Sequence, residues 1–247
     1  MRIALQWIRS LAFVVAIYAW MAVVAIVYAP AAIRSPAGAL RACHAWCRFV
    51  RGAARILLGL RTEVRGEVPT GEVLIASKHQ SFLDIILIFG ALPAGKFIMK
   101  KELTWAPILG QYALRIGCVP VDRGKRGQAI EKMLADVKRG QAAPGQLIIY
   151  PQGTRVPPGI AMPYKTGSHA LYAQMGQPCV PVATNVGLFW PRAGVLKRPG
   201  LGVVEFLPPI EPGLGRAAFL ARLEGEIEPA SDALMEEGGW VRQAEPV

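Results

Sequence analysis

Val73-Leu74-Ile75-Ala76-Ser77-Lys78-His79-Gln80-Ser81-Phe82-Leu83-Asp84-Ile85-Ile86-Leu87-Ile88-Phe89-Gly90-Ala91 changes character halfway along. Val73 to Ser77 is a short apolar run bounded by polar residues, the pattern of a buried strand, and Phe82 to Ala91 is apolar over a helical length. Between them Ser81 and Asp84 form an S-x-x-D capping box, which starts a helix by satisfying orphan backbone N–H groups. Outward from this junction, short apolar, β-branched runs separated by Gly and Pro alternate with helical stretches. Further strands are expected near Lys96 to Met99, Ile116 to Val121, Leu147 to Tyr150, Val180 to Ala183 and Val203 to Leu207. Helices are expected at Gln128 to Arg139 and Thr166 to Met175, and the alternation implies an α/β layer architecture. From Glu211 onward eight acids stand against three arginines, read as a peripheral helix and tail.

Upstream of this region the texture is different. No charged residue occurs between Arg9 and Arg34, and those 24 positions could span a bilayer, which needs about 20. A cleaved secretory signal is the alternative, since Arg2 and Arg9 precede the apolar run, but its apolar core exceeds the usual length of about 7–15 residues. After Ser35-Pro36-Ala37-Gly38, residues Arg41, His44, Arg48, Arg51 and Arg55 step by three and four and fall in one helical sector about 80° wide. Trp46, Phe49, Val50, Ala53, Ile56 and Leu57 cover the opposite side. That pairing suits a helix lying in a membrane interface; a soluble helix with a solvated basic face is the alternative. Residues 1–62 are accordingly read as a membrane anchor and 63–247 as a catalytic domain. Arginines lie on both sides of the apolar segment, so the positive-inside rule orients no single crossing, and a re-entrant or in-plane pair of helices with both ends cytoplasmic satisfies it.

The net charge of +11 is concentrated in residues 1–66, which hold nine arginines and one acid, Glu63. Charge placed around an apolar segment points to anionic lipid and away from nucleic acid. Cys43, Cys47, Cys118 and Cys179 are too few and too scattered for a disulfide framework, which suits a reducing compartment. Cys43, His44 and Cys47 lack the spacing of a zinc or haem site, so no metal is expected.

Residues five apart on a regular helix diverge by about 140°. His79 therefore meets Asp84 only if it precedes the helix that Asp84 caps. A neutral imidazole at a strand end is a good general base near neutral pH, and a carboxylate behind it fixes its tautomer. A second constellation, Tyr150-Pro151-Gln152-Gly153-Thr154-Arg155, ends another expected strand and could surround a phosphate or an oxyanion. Each alone also reads as ordinary structure, the first as a capping box and the second as a turn. Gly90 to Lys96 imitates a P-loop but has Phe97 where Ser or Thr would hold magnesium.

Taken together, H-x-x-x-x-D followed about seventy residues later by P-x-G-T-R resembles the glycerolipid acyltransferase family. Gly117-Cys118-Val119-Pro120-Val121-Asp122-Arg123 is similar to the family's second motif and Val180-Pro181-Val182 to its fourth. Lys100-Lys101-Glu102-Leu103 and Lys165-x-Gly167 also fit, so the likeness covers roughly Val73 to Val186. It implies a mixed central sheet flanked by helices behind an N-terminal helical anchor. It also implies transfer of a fatty acyl group from acyl carrier protein or coenzyme A to the sn-2 hydroxyl of lysophosphatidate, without a cofactor. The product, phosphatidate, would be made at the cytoplasmic face of a bacterial inner membrane. On this likeness His79 and Asp84 are catalytic; Lys101, Arg123 and Arg155 bind phosphate; Gly153 and Thr154 line the glycerol or oxyanion; Pro181 borders the acyl chain. Gln152 belongs to the substrate-binding set but stands where the family has Glu, and Lys78 stands where Asn commonly precedes the His. A different lyso-lipid acceptor, such as lyso-ornithine lipid, and a non-catalytic lipid-binding protein are the alternatives.

Overall fold

The computed structural model describes residues 2–121, 128, 131, 135 and 144–241. Two helices come first, α1 (Arg2–Arg34) and α2 (Pro36–Ala53), the second continued by a π-helical turn, Ala54–Leu58. The break between them is one residue. Ser35 caps α2 by accepting the Gly38 N–H at 3.1 Å, and Pro36 at the first helical position needs no N–H partner. The expected breaker is therefore a helix start. The two helices form an antiparallel hairpin: Trp46 Nε1–H donates to the Ile17 carbonyl at 2.9 Å and Trp20 stacks on Phe49 at 4.8 Å. At its tip a Cβ on Gly38 would lie 2.1 Å from the Ala31 carbonyl oxygen, so only glycine fits.

Among the described residues seven strands follow: β1 (Leu60–Arg65), β2 (Leu74–Ser77), β3 (Gly95–Lys100), β4 (Val119–Val121), β5 (Gln146–Ile149), β6 (Cys179–Thr184) and β7 (Gly200–Phe206). They form one mixed sheet in the order β1-β7-β6-β2-β5-β3-β4, parallel throughout except between β6 and β7. The helical hairpin and α3 (Phe82–Ala91) cover one face, burying Leu83, Ile86, Leu87 and Val50. On the other face α5 (Gly167–Met175) and α6 (Arg216–Glu237) bury Leu171, Phe219, Leu223 and Ile227.

Several expectations need correction. The acidic C-terminal segment is not peripheral, because α6 covers the second sheet face with its apolar stripe, and of its acids Glu226, Glu228 and Asp232 are only partly exposed. The boundary expected between residues 62 and 63 falls inside β1, a polar edge strand whose Leu-Arg-Thr-Glu-Val-Arg lacks a clear apolar run. The strand expected from Ile116 begins at Val119, since α4 (Leu109–Arg115) runs up to a turn where Gly117 takes φ 86°. The helix expected at Gln128 to Arg139 lies outside the described residues apart from Gln128, Glu131 and Ala135, which are helical.

By length and composition α1 is able to cross a bilayer, yet it lies along the sheet domain. Ser10, Phe13, Ile17, Val24 and Ala32 are buried on one side, while Ile8, Leu11, Val15, Tyr18, Ile26 and Ile33 are exposed on the other. Near its start Gln6 donates to the Lys197 carbonyl at 2.9 Å and Ser10 Oγ accepts the Lys197 N–H at 3.0 Å. Near its end Tyr112 donates to the Ala25 carbonyl at 2.7 Å and Arg115 to that of Ala32 at 2.8 Å. Gln6 and Ala32 are about 39 Å apart at 1.5 Å per residue, so both ends of a long apolar rod are pinned to one domain.

Candidate active site

Because β2, β3, β4, β5 and β6 run the same way, their carboxyl ends share one edge, where open α/β sheets bind ligands. His79 lies just past β2 on that edge. Its Nδ1 is 2.9 Å from Asp84 Oδ1. The other carboxylate oxygen accepts the N–H groups of Gln80 at 2.8 Å and Ser81 at 2.7 Å, and Ser81 Oγ accepts that of Leu83. One carboxylate therefore serves both as helix cap and as partner of the imidazole. Asp84 is fully buried and the His79 side chain is 12% exposed. A carboxylate only accepts, so Nδ1 carries the proton and the lone pair of Nε2 is left as the base.

The second motif packs directly on the first. Tyr150, at the end of β5, stacks on His79 with ring centroids 3.9 Å apart. Burial first, and then the Asp84 carboxylate, push the Tyr150 phenol well above its ordinary value, so the ring remains neutral beside the imidazole. The Val156 N–H donates to the His79 carbonyl at 2.7 Å, tying the strand ends together past the turn. Inside that turn the Gly153 N–H donates to the Tyr150 carbonyl at 2.9 Å, and Gly153 takes φ 72°. A Cβ there would come within 2.7 Å of Lys165 Nζ, because the Lys165 side chain crosses the glycine. Gln152 is buried, its Nε2 donating to the Met162 carbonyl at 3.1 Å while Oε1 has no hydrogen-bond partner among the described residues.

The other expected site residues spread outward. Thr154 and Arg155 are partly exposed, and Arg155 donates to the Arg192 carbonyl at 3.1 Å while Arg192 returns a bond to that of Arg155 at 3.2 Å. Lys101 is exposed in the 3-10 turn that follows β3 on the same edge. Pro181 is buried within β6, paired with Ala76 and not at a strand end. Arg123 lies outside the described residues.

Three contributors escape local sequence reading. Besides the stacked ring of Tyr150 and the neighbouring Arg192, Lys78 is buried and ion-paired with Glu228 of α6. Glu228 also accepts the Tyr164 hydroxyl at 2.8 Å. Burial and that carboxylate hold the Tyr164 phenol above its usual range. The backbone before His79, the chain after the Gly153 turn and the C-terminal helix thus meet at one carboxylate. Lys78 had a visible signal, an ammonium directly at the end of a short apolar strand, but nothing nearby named its partner.

A family model described as Acyltransferase matches residues 61–185. The chain is 32% identical over 157 residues to 1-acyl-sn-glycerol-3-phosphate acyltransferase of Pseudomonas aeruginosa, covering 63% of this chain and 61% of that protein. The Saccharomyces cerevisiae protein of the same name is 34% identical over 166 residues, covering 63% and 54%. The matched segment thus spans less than two thirds of these relatives. A crystal structure of the 1-acyl-sn-glycerophosphate acyltransferase of Thermotoga maritima superposes with a TM-score of 0.79 at 19% identity, over 95% of this chain and 99% of that one, a likeness of fold.

Proposed function

The chain belongs to the acyltransferase family, and on that premise we propose that it moves a fatty acyl group from a thioester to the sn-2 hydroxyl of 1-acylglycerol-3-phosphate, forming phosphatidate. The observation that carries this reading is the 2.9 Å contact between His79 Nδ1 and a fully buried carboxylate, which leaves Nε2 as the base.

In the proposed step Nε2 takes the proton of the lysolipid hydroxyl while its oxygen attacks the thioester carbonyl. The tetrahedral intermediate collapses, the C–S bond breaks, and the thiolate takes the proton back from the imidazolium. Asp84 stabilises that imidazolium and Tyr150 bears on its face. No acyl-enzyme is needed. Thr154 and the Gly153 turn line the reacting centre, where one fixed donor is worth about 2.7–4 kcal/mol in other enzymes. Arg155 and Lys101, with Arg123, hold the acceptor phosphate, Arg being suited to bidentate recognition. Pro181 borders the acyl chain. Acyl carrier protein and coenzyme A are both fitting donors.

The apolar outer side of α1 and its attachment to the domain at both ends favour a hairpin lying in the cytoplasmic leaflet of a bacterial inner membrane over a single crossing. A lysolipid then reaches His79 without leaving the bilayer. Gln152, neutral where the family has Glu, favours a second reading in which the acceptor is another lyso-lipid such as lyso-ornithine lipid. Membranes carrying the protein should be given each acceptor with labelled acyl carrier protein and coenzyme A thioesters. Transfer to lysophosphatidate that disappears in His79→Ala is the expected result. Transfer that survives His79→Ala refutes the mechanism, and no transfer to either acceptor leaves a lipid-binding protein.

A further inference from the structure

Where α2 passes the open edge of β1, Arg48, Arg51 and Arg55 of the helix and Arg61 of the strand line a groove of about 550 Å³. Glu63, the acid on its wall, is already paired with Arg65 at 2.9 Å. Arg51 is held by Thr62, its Nε donating to the hydroxyl at 3.0 Å. Arg48, Arg55 and Arg61 have no carboxylate partner among the described residues. Four like charges around one concavity repel each other unless an anion sits among them.

A second observation concerns the floor. Gly52 lies between these arginines on α2, and a Cβ there would meet nothing within 4 Å. No packing demands the glycine, although glycine weakens a helix interior, and its effect is to leave the space bare. The π-helical turn that follows at Ala54–Leu58 is a feature frequent at functional sites. On the rim Ile56 is 76% exposed, and the next carbonyl, of Leu57, accepts Arg9 of α1 at 2.5 Å. Guanidinium groups and exposed aliphatic surface therefore adjoin, which suits a ligand carrying both phosphate and acyl chains better than an acidic protein surface.

We propose that this groove binds the phosphate of an anionic glycerophospholipid at a site separate from His79. In the sheet β1 lies three strands from β2, about 14 Å at 4.8 Å per strand. The inference rests on the interfacial placement of the hairpin proposed above and is independent of the acyl-transfer chemistry.

The test compares binding of the full chain to vesicles of phosphatidylcholine alone and to vesicles containing phosphatidylglycerol, at physiological salt. Wild type is expected to prefer the anionic vesicles, with Arg61→Gln lowering that preference about fivefold. Gly52→Leu fills the groove without altering its charge and is expected to lower the preference by a similar factor; Gly52→Ala, which leaves most of the space, retains it. An unchanged preference in Gly52→Leu overturns the site in favour of diffuse attraction. Equal wild-type binding to both vesicles overturns the groove alone, whereas binding to neither refutes the interfacial placement. Inorganic phosphate added at constant ionic strength, or acyl carrier protein in excess, is expected to leave the preference intact. If either abolishes it, the occupant is a free anion or the donor protein and the lipid assignment falls.

Discussion

Asp84→Asn separates the two jobs of one carboxylate. In the native site Oδ2 accepts two backbone N–H groups and Oδ1 faces His79 Nδ1. Asparagine has one acceptor oxygen, which stays with the Gln80 and Ser81 amides because nothing else satisfies them. Its NH₂ then faces Nδ1 and demands an acceptor there, which drives the imidazole proton to Nε2, the atom that receives the substrate proton in the proposed step. The same tautomer inversion in a serine protease lowers kcat about 10⁴-fold. A loss of about 10³–10⁴ in kcat is expected here, or about 4–5.5 kcal/mol at 1.36 kcal/mol per decade. Weakening two charge-assisted bonds to neutral ones costs about 1–2 kcal/mol of stability, too little to produce that loss by unfolding. Steady-state kinetics at a temperature where circular dichroism reports a folded variant make the measurement, with KM for the acceptor unchanged. A kcat within tenfold of wild type would refute the assignment of Asp84 as keeper of the tautomer.

Glu228→Gln should destabilise the fold by about 2 kcal/mol in urea, below the 3–5 typical of a broken buried pair because Glu228 is 28% exposed; pairing Lys78→Met with Glu228→Leu should recover most of the loss. Gln152→Glu buries a carboxyl against the Met162 carbonyl, raising its folded pKa above the unfolded value of about 4.3. That variant should match wild type below about pH 4 and lose stability as pH rises through the folded pKa, so a difference independent of pH counts against it. Burial pushes the Cys118 thiol up to about 11. Cys118 should therefore resist thiol reagents at pH 8 until the protein is denatured, and prompt native labelling would contradict its buried position.

The strand-to-helix junction was legible because its information is local: an apolar run, a capping box and another apolar run specify β2 and α3 within nineteen residues. His79 and Asp84 were legible for the same reason, five positions apart with a predictable turn between them. What escaped depends on distant partners. Residues Leu60–Arg65 become a strand by pairing with Gly200–Phe206, 140 residues away, and nothing in their own alternation outweighs the charges. Helix α6 looked peripheral because its acids dominate composition, whereas burial is decided by Phe219, Leu223 and Ile227 at helical spacing. Tyr150 was visible as part of a turn motif, but its stacking on His79 exists only once β5 lies beside β2.

The attachment of α1 at both ends also constrains how the protein is made. Its N-terminal partner is Lys197, 187 residues downstream of Ser10. At about 5–20 residues per second a ribosome takes about 10–40 s to deliver that segment. Throughout that interval the N-terminal part of this apolar rod has only α2 beside it, so its remaining apolar surface must be sheltered by lipid or by a chaperone. With the hairpin in the leaflet as proposed, the order of synthesis favours its reaching the bilayer first, with the sheet assembling beneath a helix already in place.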